Sequence, residues 1–206
     1  MANNTKNPIR ANGRQIFLQQ FLKHPLQVGS IIPSSRFLER RIIEASDVAS
    51  AKVVVELGPG TGGTTHALLN AMPRNARLLS IELNDFFYNV ISQIEDERLI
   101  PHLGSACDIQ AILAEHNLGA PDAVISGVPF STMSRDMGTR IIESVSSVLA
   151  PRGRFVAYQT RDRVATLCRP IMGSEQAEME FFNIPPTRIY QWQKKVNGNA
   201  HPPQVM

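Results

Sequence analysis

The sequence predicts an α/β fold: a seven-stranded, mainly parallel sheet with an antiparallel last strand and helices on both faces. Two observations carry this prediction. From residue 53 onward, short apolar runs alternate with stretches of helical period, and strands that alternate with helices pair in parallel. The last two runs are joined by Pro185-Pro186, and such a closing pair suits an antiparallel edge.

In chain order, residues 1–12 read as a loose tail. Residues 13–24 form an amphipathic helix, with Phe17, Leu18, Phe21 and Leu22 on one face and Arg14, Gln20 and Lys23 off it. Pro25 ends it. After an irregular link over 28–35, Ser34 or Ser35 can cap a helix that runs to about residue 49. Strands are expected at 53–57, 77–82, 99–104, 122–126 and 154–159, with helices at 63–72, 85–94, 108–117 and 134–149 between them. In the last helix Ile141, Ile142, Val145, Val148 and Leu149 fall at helical spacing. Late strands are expected at 179–184 and 188–195, and the residues from about 197 as a frayed tail. The division that follows is an N-terminal tail, amphipathic helix and lid or cap helix over 1–49, then one globular unit over 50–206.

A chain of 206 residues with 43% hydrophobic and 19% charged residues has the length and composition of one globular domain. Cys107 and Cys168 lie far apart in no metal spacing, which predicts free thiols in a reducing compartment and no metal site. No apolar run reaches the roughly 20 residues that span a bilayer, and the polar residues 1–10 lack a signal-peptide centre. The expected location is cytoplasmic. Residues 1–43 hold seven cations against Glu39, a net +6 in a chain of overall +3. That asymmetry fits either a polyanion partner or a solvated basic surface.

The chemistry concentrates in Val53-Val54-Val55-Glu56-Leu57-Gly58-Pro59-Gly60-Thr61-Gly62-Gly63. A strand, a glycine turn and a helix in succession bring backbone amides close to a nucleotide-like ligand, a Rossmann-like arrangement. Gly58, Gly60 and Gly62 permit approaches that a Cβ would block. Glu82, 24 positions after Gly58 at the end of a strand, can accept from both hydroxyls of a ribose. Leu83 follows it on the same ligand-facing turn. With Glu56 in front, the run becomes Glu-x-Gly-x-Gly-x-Gly, which resembles motif I of the class I methyltransferases that bind S-adenosylmethionine (SAM). In that comparison Gly104-Ser105-Ala106 stands where many members carry Gly-Asp-Ala with an adenine-contacting Asp. Asp108 can cap the helix that follows.

Ser126-Gly127-Val128-Pro129-Phe130 resembles the (Asp/Asn/Ser)-x-x-(Tyr/Phe) region of amino-methyltransferases. There a polar side chain and backbone carbonyls hold the target nitrogen and an aromatic ring packs on it. Methyl transfer is an in-line displacement, so the nitrogen must arrive neutral and aligned. The expected roles are Ser126 and the Val128 carbonyl as acceptors and Phe130 as an aromatic face for developing positive charge. Ser126 also borders the cofactor. Phe130 reads equally as core. Tyr158 and His24 are candidate general bases, with Tyr158 equally a core tyrosine.

With these motifs in hand, the chain resembles the short bacterial phospholipid N-methyltransferases, which convert phosphatidylethanolamine stepwise to phosphatidylcholine with SAM. The likeness covers Pro-x-x-Val-Gly-x-x-x-Pro-Ser-Ser over 25–35, motif I, Gly104-Ser105-Ala106, Ser126-Gly127-Val128-Pro129 and Asn183-Ile184-Pro185-Pro186-Thr187-Arg188. A Ser at position 105 is usual in that family. The resemblance implies SAM as cofactor and an aminolipid on an anionic membrane surface as partner. The basic N-terminal segment would lie in the interface or lid the pocket. No obligate protein partner is evident. A more distant likeness is to ribosomal RNA adenine N6-dimethyltransferases, which carry Asn-Ile-Pro-Tyr where this chain has Ser-Gly-Val-Pro-Phe. That difference, and the lack of a separate RNA-binding domain, count against nucleic acid. A small-molecule amine methyltransferase and a non-catalytic nucleotide-binding module are the alternatives. A dehydrogenase fits poorly, since no Tyr-x-x-x-Lys occurs.

Overall fold

In the computed structural model, residues 34–195 are described; the predicted tail and amphipathic helix over 1–24, with His24, lie outside them. The Ser35 hydroxyl accepts from the Leu38 N–H at 3.2 Å and caps α1 (Arg36–Ser46). Asp47 then adopts a left-handed conformation, and a single 3₁₀ turn follows at Val48–Ser50, so the helix stops short of residue 49.

The alternation that follows is β1 (Val53–Leu57), α2 (Gly63–Ala71), β2 (Arg77–Glu82), α3 (Asp85–Ile91), β3 (Leu99–Leu103), α4 (Ile109–Glu115), β4 (Ala123–Ser126), α5 (Arg135–Val148), β5 (Arg154–Gln159), α6 (Arg163–Met172), β6 (Gln176–Glu180) and β7 (Thr187–Gln193). The sheet order is β3-β2-β1-β4-β5-β7-β6. β1 to β5 are parallel, and β7 runs antiparallel to both β5 and β6. This is the seven-stranded sheet expected from sequence. Order reverses between β1 and β4, and such a switch point opens a crevice at the carboxyl ends of the strands.

β1 reads as apolar apart from Glu56 because it is covered on both sides. Val54 faces a layer built by Leu38 and Ile42 of α1 and Leu68 of α2, together with Leu78, Ile125 and Val156. Val55 and Leu57 face the opposite layer, with Ile112 of α4, Ile141 and Val145 of α5 and Leu167 of α6. α1 is thus part of the packed core.

Two late features differ from the sequence reading. α6 has no counterpart in it, because Asp162 makes no side-chain cap and Pro170 sits inside the helix, where it removes one N–H donor. Its apolar face of Val164, Ala165, Leu167 and Cys168 is nevertheless buried. β6 ends at Glu180, well before residue 184. Phe181, Phe182 and Ile184 have strand-like composition but stand exposed on a turn.

Candidate active site

The carboxyl ends of β1, β2, β3, β4 and β5 share one edge, and the predicted site residues stand along it. Gly58, Gly60 and Gly62 all have positive φ, at 70°, 57° and 85°. Only the absence of a Cβ makes this run of left-handed turns inexpensive. The Gly58 N–H donates to the Ile81 carbonyl at 2.9 Å, which ties the turn to β2. The Gly60 N–H donates to Glu82 Oε2 at 3.2 Å. Glu82 Oε1 accepts from the Asn84 N–H at 2.9 Å. Burial raises the Glu82 pKa, partly offset by these backbone donors. The carboxylate is thus held against the glycine turn by its backbone. Leu83 beside it is 76% exposed, an uncovered apolar surface of the kind a planar base packs on. On the neighbouring strand, the Gly104 N–H donates to the Glu82 carbonyl at 2.9 Å. Ser105 and Ala106 are half-buried, and the Ser105 hydroxyl accepts from the Cys107 N–H at 3.2 Å. Asp108 occupies the position before α4 but makes no capping bond.

Glu56 lies beneath the turn, 1% exposed. Its Oε2 accepts from Thr65 Oγ1 at 2.7 Å and Ser80 Oγ at 2.9 Å, while Oε1 has no partner. Burial pushes its pKa up to about 7, against the lowering effect of the two hydroxyls. Thr65 and Ser80 went unassigned in the sequence. Their signal is the register, which sets Ser80 directly opposite Glu56. Because the folded state raises this carboxyl above its ordinary value of 4.5, its favourable contribution is complete at low pH and disappears as pH climbs through about 7. The Glu56→Gln variant is therefore expected to gain on wild type between pH 5 and pH 8, by roughly 2–3 kcal/mol. Urea unfolding at both pH values checks this, and an equal gap at each would refute it.

The turn after β4 departs from its expected roles. Ser126 has no exposed surface, and its hydroxyl accepts from the Val128 N–H at 3.3 Å. The Val128 carbonyl accepts from the Phe130 N–H at 2.9 Å, across an inverse γ-turn at Pro129, and from Gln159 Nε2 at 2.8 Å. Both its lone pairs are used, so this carbonyl has none left for an amine. Phe130 is fully buried and packs in the core with α5 and α6; a Cβ added at Gly138 would touch its ring at 3.5 Å. The core role, and not the aromatic face for a substrate nitrogen, describes it. Tyr158 is half-buried, with its hydroxyl 3.4 Å from Thr64 Oγ1. Burial, followed by the negative charge of Glu56, raises its pKa. A phenol held in its protonated form does not serve as a general base.

Gly127 is the position the sequence reading passed over. A Cβ there would collide with the Tyr158 hydroxyl and come within 2.9 Å of the Gly58 carbonyl oxygen. The β4 turn, the glycine turn and β5 therefore meet at this residue. Among the described residues no donor reaches the Gly127 carbonyl. The residues present fit SAM. A turn with positive φ at Gly58, Gly60 and Gly62 faces a buried carboxylate suited to a ribose, with an open apolar surface beside it. Bound SAM supplies a methyl group on an electrophilic sulfonium.

No protein-family model matches the chain. It is 30% identical over 142 residues to an ornithine lipid N-methyltransferase of Singulisphaera acidiphila, covering 68% of this chain and 74% of that protein. A ribosomal RNA small subunit methyltransferase A of Phenylobacterium zucineum is 32% identical over 98 residues, 46% of this chain but 32% of that protein. Among solved structures, an O-methyltransferase from Bacillus cereus in complex with SAH superimposes with a TM-score of 0.63 at 13% identity, covering 91% of this chain and 93% of that one. That likeness is one of fold. Taken with the glycine turn and its two carboxylates, the relationship to the lipid enzyme assigns the chain to the class I SAM-dependent methyltransferases.

Proposed function

We propose that this enzyme methylates the primary amine of an aminolipid headgroup, phosphatidylethanolamine on the way to phosphatidylcholine or an ornithine lipid. The observation that carries the reading is the 30% identity to an ornithine lipid N-methyltransferase over 74% of that protein's length. The matching segment of the ribosomal RNA enzyme is only about a third of that protein. The acceptor turn agrees, since Gly127 offers no amide side chain to a base edge.

Within this reading the Gly127 carbonyl accepts an N–H of the neutral amine and turns its lone pair toward the methyl group. Tyr158 holds the turn in place through its contact with Gly127. Proton loss from the ammonium precedes attack. The proton passes to water, because the Tyr158 phenol is kept protonated and the Val128 carbonyl is already engaged. Ser126 supports the turn through its bond to the Val128 N–H. The basic N-terminal segment brings the enzyme to an anionic membrane.

Purified protein incubated with methyl-labelled SAM and anionic vesicles should label the lipid extract when phosphatidylethanolamine or ornithine lipid is present. Vesicles lacking an amine should stay unlabelled. Absence of transfer to either lipid, with SAM binding intact by calorimetry, would overturn the assignment. Transfer to ribosomal RNA in place of lipid would favour the nucleic-acid alternative.

A further inference from the structure

The turn between β6 and β7 carries a surface the methyl-transfer site does not use. Phe181, Phe182 and Ile184 are 71, 74 and 80% exposed. Clustered large apolar groups at such exposure mark an interaction surface. Their outward direction is built in. Asn183 between them is buried, with Oδ1 accepting from the Ser35 N–H at 2.9 Å and Nδ2 donating to the Pro185 carbonyl and Thr187 Oγ1, both at 3.0 Å. Glu180 Oε1 accepts from the Phe182 N–H at 2.7 Å, and its Oε2 is bonded to Arg41. The backbone is pinned while the apolar tips stay free. The Phe182 ring lies 5.3 Å from that of Phe37, itself 43% exposed, and the Arg36 guanidinium stands 5.1 Å over Phe37.

Position and charge identify the partner. Arg188, at the start of β7, pairs with Gln159 at the end of β5. The turn therefore projects from the edge that carries the glycine turn, Glu82 and Gly127. Arg36 and Arg188 flank it and enter no ion pair among the described residues. The chain reaches α1 through Ser35, the residue bonded to this turn, and the 33 residues before Ser34 contain Lys6, Arg10, Arg14 and Lys23 and no acid. Apolar tips flanked by Arg36 and Arg188, outside any ion pair among the described residues, match a surface that is anionic at its face and apolar beneath.

We propose that the β6–β7 turn is a lipid-facing wedge that inserts Phe181, Phe182 and Ile184 into an anionic bilayer and seats the active-site edge against it. The inference rests on the aminolipid reading, but its test does not require turnover. The full-length F182W variant is mixed with vesicles of phosphatidylglycerol and phosphatidylcholine bearing brominated acyl chains. Its indole should be quenched on binding, whereas the buried Trp192 of wild type should not. The F181S/F182S/I184S variant should partition at least about tenfold more weakly, with SAM affinity unchanged by calorimetry as proof of an intact fold. It should also methylate a monomeric short-chain aminolipid at the wild-type rate while losing activity on vesicles. An unquenched F182W that still binds vesicles overturns the wedge, as does wild-type partitioning of the triple variant. So does a wild-type dimer that the triple variant dissociates without losing vesicle affinity. If no aminolipid is methylated but F182W is quenched, the substrate assignment fails and the wedge stands.

Discussion

Replacing Glu82 by alanine is expected to weaken SAM binding by at least about two orders of magnitude. A ribose offers two hydroxyls, and a charge-assisted hydrogen bond to each contributes about 1.5–3 kcal/mol. The carboxylate also organises its surroundings: Gly60 and Asn84 both donate to it, so its loss releases the backbone of the glycine turn as well. Glu82→Gln keeps the shape and one acceptor oxygen, and should fall between alanine and wild type. Titration calorimetry with SAM and with its demethylated product resolves the series. Both ligands should lose affinity in parallel, because each carries the ribose. An alanine variant within threefold of wild type would remove Glu82 from the site.

The second large effect is expected at a residue with no side chain. Gly127→Ala places a Cβ against the Tyr158 hydroxyl and 2.9 Å from the Gly58 carbonyl oxygen. The Tyr158 ring carbon Cζ is equally close, at 2.9 Å. Overpacking of this kind costs about 1–3 kcal/mol. The greater loss is functional. Relief of the clash moves the acceptor turn or the glycine turn, and displacements of about 1 Å at a reacting centre cost about a hundredfold in rate. We expect kcat/KM to fall at least that far while thermal unfolding stays cooperative. Tyr158→Phe removes the hydroxyl that borders Gly127 and Thr64 Oγ1 and should lower kcat/KM by a few fold, well short of the Gly127→Ala loss. Adding Tyr158→Ala to Gly127→Ala removes the side-chain clash and should recover part of the stability, a coupling that a double-mutant cycle measures. Strict additivity of the two substitutions would show that they do not share one space.

Much of this was legible in the sequence for a physical reason. β1 and its turn are local: β-branched residues, a carboxylate and closely spaced glycines specify strand, turn and helix within a dozen positions. The place of Glu82 beside the glycine turn was legible because it follows from its distance along one βαβ unit. What escaped the sequence depends on contacts between distant segments. The bonds of Glu56 to Thr65 and Ser80 need the β1–β2 register. The engagement of the Val128 carbonyl needs Gln159, 31 positions away. Phe130 was ambiguous because aromatic rings suit a substrate pocket and a core alike, and only the packing of α5 and α6 over it decides. α6 was obscured by Pro170, and the β6 boundary by apolar residues whose outward direction is imposed by Asn183.

The β4 turn also bears on how many methyl groups can be added. Val128 spends its carbonyl on Phe130 and Gln159, so in the proposed reaction the acceptor is held by the Gly127 carbonyl. A neutral primary amine has two N–H bonds and its monomethyl product one, so each can be held by a single oxygen. The dimethyl amine has none. In a stepwise series on that reading, the site would grip the first two acceptors by a hydrogen bond and the third by shape alone. If the aminolipid proposal holds, the dimethylated lipid would be the species most readily released, and the ratio of dimethyl to trimethyl product would be a property of one backbone carbonyl.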